Sequence, residues 1–407
     1  DDLLVGATGE NGTAYQCYGP ITTSGSLSDN CVALTGENYG DAAGISVAGV
    51  GDVDGDGSPD SVVGAFRYGG TAGAAYLVSG AVTVDMSLSS AAGIHMGEGS
   101  GDYAGVSVSA AGDNNSDGYS DFLVGAYLAE SGAGLTYLVH GPATGTNDLG
   151  DAAATFYGEA AGDQSGSNVI GNTDIDGDGF GDFIISGYQE GTGGTAAGAA
   201  YVYFGPATGN IDLADAAVKL YGESAGDESG SFGDQPLDID GDGYDDILCR
   251  APDEDTTAND AGAAYVILGT TINTNVSSGG GSWSSDLSAA DIKILGEAED
   301  DGAGISAGQV TDMTSDGGSE IVIGARFNEE GYAYLLFSDT LSTGGTFYLS
   351  SDADAKWIGS SSGSSLGTRA VGVGDVNGDG LGDIGLGATR DDSADTDAGA
   401  VYIYDAY

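Results

Sequence analysis

The chain has 407 residues, 76 of them Gly, with 63 acidic side chains against eight basic ones and a formal charge of −55. That charge excludes nucleic-acid binding through a basic face, which needs Lys and Arg to displace counterions, and disfavours docking on anionic lipid. With 40% hydrophobic residues and 22 Tyr the composition is too apolar for intrinsic disorder, and no apolar run approaches the length of a membrane-spanning helix.

The elements follow in chain order. Asp2-Leu-Leu-Val-Gly-Ala7 is a short apolar run closed by a small pair and reads as a strand. A turn of the form Gly-Glu-x-x-Gly-Asp begins at Gly36. Ile45-Ser-Val-Ala-Gly-Val50 then leads into an acidic loop, Asp52-Val-Asp-Gly-Asp-Gly-Ser-Pro-Asp60. Two more runs follow, Val62-Val-Gly-Ala65 and Gly73-Ala-Ala-Tyr-Leu-Val78. The set then recurs. Acidic loops start at 52, 113, 174, 238, 312 and 375, with separations of 61, 61, 64, 74 and 63. The Gly-Glu turn recurs at Gly97, Gly158 and Gly222, more loosely at Gly296, and as a Ser-rich version at Gly359. Gly399-Ala-Val-Tyr-Ile-Tyr404 is the last run.

These runs are short, β-branched or aromatic, and bounded by Gly and Asp, so they read as strands; no segment carries a helical period. Four strands per unit suit one blade of a β-propeller. The fold expected is all-β: one domain over 1–407, a seven-bladed β-propeller of four-stranded antiparallel blades. Its units start near 1, 44, 105, 166, 230, 304 and 368, the first and last incomplete. Asp2-Leu-Leu-Val-Gly-Ala7 aligns with Asp60-Ser-Val-Val-Gly-Ala65, so the chain is expected to open at the ninth position of an acidic loop. An opening at Asp1 suits a mature form or a fragment.

The loops and their following hydrophobic-Gly-Ala runs resemble FG-GAP repeats, the blades of the seven-bladed propeller that heads integrin α chains. The resemblance covers nearly the whole chain. It implies a propeller and a metal, and it implies that a ligand would be met on the face opposite the metal loops.

The loops carry the chemistry. Asp at positions 1, 3, 5 and 9 sets carboxylates on one side of a tight turn, position 7 adds a backbone carbonyl, and Gly at 4 and 6 lets the chain curl. Oxygen donors in this number suit Ca²⁺. Asp52, Asp54, Asp56, Ser58 and Asp60 form the first set. Asp174, Asp176, Asp178, Phe180 and Asp182 form another, as do Asp238, Asp240, Asp242, Tyr244 and Asp246. Asn replaces one acid in Asp113, Asn115, Asp117, Tyr119 and Asp121, and in Asp375, Asn377, Asp379, Leu381 and Asp383. Asp312, Thr314, Asp316, Gly318 and Glu320 should form the weakest of up to six calcium sites. Six ions would offset only about 12 of the 55 charges, so the acidity needs a further cause, such as saline or calcium-rich surroundings.

Arg67, Arg250, Arg326 and Arg390 fall at or just after second strands, toward the calcium-free face. They suggest a sparse cationic ligand site, with pairing to nearby acids such as Asp391, Asp392, Glu329 and Glu330 as the alternative. A Tyr recurs in the third strand (Tyr76, Tyr137, Tyr201, Tyr265, Tyr334, Tyr402) and is expected to pack between blades. Trp283 lies in the longest insertion and could be exposed, while Trp357 reads as core. Cys17 and Cys31 sit on neighbouring strands, where a disulfide would brace the first blade; two buried thiols are the alternative. Cys249 reads as a buried thiol. Asn11, Asn114 and Asn275 open glycosylation triplets, Asn114 inside a loop. His95 and His140 have no nucleophile partner motif, so no enzyme is expected.

The function expected is a secreted calcium-binding adhesion or recognition module for a protein or glycan. The alternative is a subunit of an extracellular filament or layer, built by strand sharing between copies. A polysaccharide-degrading enzyme ranks third.

Overall fold

The computed structural model describes residues 2–9, 11–233, 238–315, 317–326, 330–361, 363–395 and 398–405. Seven sheets follow one another along the chain as seven blades of a β-propeller. In the second blade the inner strand Val47–Gly51 turns through the acidic loop into Asp60–Ala65, then Ala74–Val78, then the outer strand Gly93–Met96. All three pairings are antiparallel. The third blade repeats this with Ser107–Gly112, Asp121–Ala126, Leu135–Val139 and Ala154–Tyr157. The first blade holds Leu3–Ala7, Thr13–Cys17 and Val32–Thr35, and the last holds Leu366–Gly374, Asp383–Ala388 and Ala400–Tyr404.

Each of the first five blades carries one more strand than the sequence suggested. Gly145–Asp148, from the link between third and outer strands of the third blade, pairs in parallel with the outer strand of the second. Met86–Ser87, Gly209–Asp212, Trp283–Asp286 and Gly345–Tyr348 do the same for their preceding blades. Each blade thus laces itself to its neighbour's outer edge. Trp283 opens such a strand and is partly buried, contrary to the exposed position expected. Trp357 is half-buried against Tyr404, with ring centroids 5.1 Å apart. One helix of ten residues, Gly269–Ser278, also departs from expectation. It is mostly Thr, Asn and Ser, and it holds its place through buried Ile272 and a bond from Asn273 Nδ2 to the Ile175 carbonyl.

The small pairs have a geometric cause. A Cβ on Gly64 would lie 2.0 Å from the Gly105 carbonyl oxygen at the start of the next blade's inner strand, and one on Gly125 would lie 2.0 Å from that of Gly166. The repeated Tyr lies on the opposite register and packs between blades, as expected. Tyr76, Tyr137 and Tyr265 are fully buried, and their hydroxyls donate to Glu37, Glu98 and Glu223 of the Gly-Glu turns. Three blades add a Lys to this junction. Lys219 bonds Glu159 and Glu190, Lys293 bonds Glu223 and Glu254, and Lys356 bonds Glu297, each with its ammonium over the local Tyr rings. Cys17 and Cys31 form a disulfide, and Cys249 is a buried thiol pushed up to about 12 by burial.

Candidate metal centres

Every acidic loop joins an inner strand to a second strand, so all the loops crowd one face of the propeller. Each is folded by its own carboxylates. The first Asp accepts the N–H of the Gly at position 6 in all six loops: Gly57, Gly118, Gly179, Gly243, Gly317 and Gly380. The oxygen at position 3 accepts the N–H of position 5, from Asn115 and Asn377 as from Asp54, Asp176 and Asp240. An amide oxygen serves this bond as well as a carboxylate, which explains why Asn is tolerated there. The fifth residue in turn takes the N–H of Ser58, Tyr119, Phe180, Tyr244 or Leu381.

The ninth acid is different. Asp60, Asp121, Asp182, Asp246, Glu320 and Asp383 are all buried. One oxygen of Asp182 accepts from Ile175 N and the other from Gly205 N, at 2.8 and 3.0 Å. Asp246 does the same with Ile239 and Gly269. Asp2 accepts from Gly19 N at 2.9 Å, the bond that Asp60 makes with Gly80, so the first blade keeps the ninth-position acid. Burial pushes Asp182 and Asp246 up to about 7, against the pull of their backbone bonds. A carboxylate buried at this cost is one that a cation relieves.

Three loops bring carboxylate oxygens from positions 1, 3 and 9 within 4.8 Å of one another: Asp52, Asp54 and Asp60; Asp174, Asp176 and Asp182; Asp238, Asp240 and Asp246. These are the three sets read as complete in the sequence. The donors are all hard oxygens, so the chemistry fits a cation of the calcium type. In the loop at Asp375, Asn377 Nδ2 turns onto Asp379 and Asp383. In the loop at Asp113, His140 leans in: its Nδ1 lies 3.0 Å from Asn115 Nδ2 and its Nε2 lies 3.8 Å from Asp121. The sequence offered no signal for that contact, since His140 follows the third strand rather than the loop. In the loop at Asp312, Thr314 Oγ1 donates to Glu320; Asp316 lies outside the described residues.

On the opposite face, Arg67 lies over the Phe66 ring, 4.9 Å from its centroid. Arg250 is buried and donates to the Ile305 carbonyl. Asp391, an expected partner for Arg390, instead accepts from Ser360, Ser393 and Tyr402. Glu329 lies outside the described residues. Asn114 is buried, with its side chain bonded to Ala207 N and Gly181 O, and offers no face for a glycan. His95 is buried beside the Ala143 carbonyl, and burial lowers its pKa.

Sheets that follow one another around an axis, each entered through an acidic Gly-rich loop, define a repeat β-propeller with metal-loop chemistry. Comparison with known proteins agrees. The FG-GAP repeat family matches at residues 235–267. Integrin alpha pat-2 of Caenorhabditis elegans is 35% identical over 92 residues, 21% of this chain and 7% of the relative. Integrin alpha-4 of Xenopus laevis is 34% identical over 159 residues, 37% of this chain and 14% of the relative. Integrin alpha-PS2 of Drosophila melanogaster is 28% identical over 173 residues, 39% and 12% respectively. The chain is an integrin-α-like FG-GAP propeller. Its matched stretches span 14% or less of these relatives' own lengths.

Proposed function

We propose that the chain is an extracellular recognition module whose acidic loops hold up to six Ca²⁺ and whose calcium-free face meets a protein or glycan. The observation that carries this reading is the division of labour between the faces. The three carboxylate clusters and all six loops share one face, and their side chains are committed to loop folding. The other face carries the cup turns and most of the arginines. The Cys17–Cys31 disulfide suits an oxidising, calcium-rich compartment. Among the described residues no helix is long and apolar enough to cross a membrane. The arrangement reads as a binding module rather than an enzyme.

The test masks one face at a time. Tyr39, 82% exposed, lies in a cup turn of the calcium-free face, and Val84, 70% exposed, lies in a link on the calcium face. A large polyethylene glycol attached at Tyr39→Cys should abolish calcium-dependent capture on arrays of extracellular glycans and proteins, while one at Val84→Cys should leave it intact. The reverse pattern would overturn the assignment of faces.

A second reading has its own observation. Leu3–Ala7 and Ala400–Tyr404 each pair on one side alone among the described residues. Copies could share strands along those edges. Light scattering that shows open-ended growth in calcium, against a steady monomer, would favour that assembly.

A further inference from the structure

Four of the five arginines gather on one sector of the calcium-free face. A cavity of about 340 Å³ opens there, lined by Arg250, Arg326, Arg369, Tyr188, Glu228 and Ser231 among others. Two of these arginines break the repeat. Arg250 pairs with Ala264 in the register where Gly64 pairs with Ala75 and Gly125 with Thr136. A Cβ at those glycines would strike the next blade. Arg369 pairs with Gly387, where Ser107 pairs with Gly125 and Ser306 with Gly324. The inner strand beside Arg250 is also cut short, to Ser231–Phe232. The cavity therefore stands where small residues have given way to guanidinium groups.

The charges there are uncompensated by design of the site rather than by the chain's composition. Arg326 has its pKa lowered by burial first, and then by the like charges of Arg390 and Arg369. Among the described residues no carboxylate lies within ion-pair distance of Arg369 or Arg390. The one carboxylate in the lining, Glu228, accepts from Gln189 instead. In a chain of charge −55, keeping cations together against their repulsion and away from abundant acids needs an external anion to make sense of it.

We propose that this cavity takes the carboxylate of a terminal acidic sugar, held by Arg326 and Arg369 with Arg250 in the wall. The planar fork of a guanidinium matches a carboxylate in two parallel bonds. Ser231, Thr368 and Glu228 offer donors and acceptors for ring hydroxyls, and the volume suits about one saccharide unit. The field of the whole protein repels an extended polyanion, so a single charged end group is admitted in preference to a charged chain. The inference rests on the reading that the calcium-free face recognises a partner.

The test titrates glucuronate, glucose and acetate into the full chain in calcium, followed by calorimetry or ligand-observed NMR. Glucuronate should bind at least about tenfold more tightly than glucose or acetate, and added salt should weaken it. Arg369 is exposed, so Arg369→Gln should fold normally and lose about tenfold or more in glucuronate affinity. Arg326→Gln should do the same, with thermal unfolding as the control for both. Equal binding of glucuronate and glucose, or an Arg369→Gln protein that binds as the parent does, would overturn the anion site. Acetate as tight as glucuronate would overturn its assignment to a sugar. These failures remain separate from failure of the broader reading. If the label at Tyr39→Cys still blocks partner capture, the face stands and only this pocket falls.

Discussion

The buried ninth acids make a prediction about how calcium changes the response to pH. Asp182 and Asp246 are fully buried and raised to about 7, chiefly by burial, against about 4 for an unfolded carboxyl. A raised acid favours the protonated fold. In chelator its contribution is therefore fully present below about pH 4 and is lost as pH rises through about 7. Between about pH 5 and pH 8 each group should cost about 3 kcal/mol, and the pair roughly 5. At about 2 cal/mol/K of unfolding entropy per residue, that is a fall in Tm of roughly 6 °C. Calcium should reverse the slope, because a divalent ion beside Asp174, Asp176, Asp238 and Asp240 favours the ionised carboxylates and acid releases it. Relief of the overall negative charge near pH 5 acts in the same direction as the chelator effect. The double variant Asp182→Asn, Asp246→Asn keeps that background and should lose most of the roughly 5 kcal/mol difference. Scanning calorimetry across this pH range, in chelator and in calcium, supplies the comparison. Parallel chelator slopes for parent and variant, or slopes of one sign in both media, would refute the assignment of the buried acids.

Further outcomes follow from the same geometry. Replacing Asp54, Asp176 and Asp240 together with Asn should weaken the tightest class of calcium sites in a calorimetric titration, and an unchanged profile would separate these acids from metal binding. Lys293→Met leaves Glu223 and Glu254 without bonds of 2.6 and 3.0 Å, so a loss of about 2–3 kcal/mol is expected by denaturant unfolding in calcium. Gly125→Ala drives a methyl to 2.0 Å from the Gly166 carbonyl and should cost about 3 kcal/mol or more. Gly49→Ala meets no atom within 4 Å and should stay within about 0.5 kcal/mol of the parent, which makes it the control.

The blade and its loop were legible because a repeat multiplies weak signals: one Asp-rich turn says little, while six with a common following strand name an architecture. The lacing strands were missed because Gly145–Asp148 and its counterparts are polar and do not alternate. Their signal lay just beyond. Asp148, Asp212 and Asp286 each cap a short turn, and Leu149, Leu213 and Leu287 are buried beneath it. The helix Gly269–Ser278 was missed because tertiary anchors hold it rather than an apolar stripe. Arg369 was missed because it sits in an inner strand, while its fellow arginines follow second strands.

The eight basic residues show what the sequence alone could not sort. All three lysines sit on outer strands, where a compact ammonium fits between a Tyr ring and one or two Glu carboxylates and ties neighbouring blades. Four of five arginines avoid that task and converge on the cavity or on Arg326 beside it. Position in the repeat separates the two kinds of cation, and so does chemistry: a point charge suffices for a clamp, whereas a planar fork reads a carboxylate. Arg369→Lys therefore distinguishes the two uses. It keeps the charge and removes the fork, so a site that only needed positive potential would keep its glucuronate affinity, and a site built for bidentate recognition would lose it.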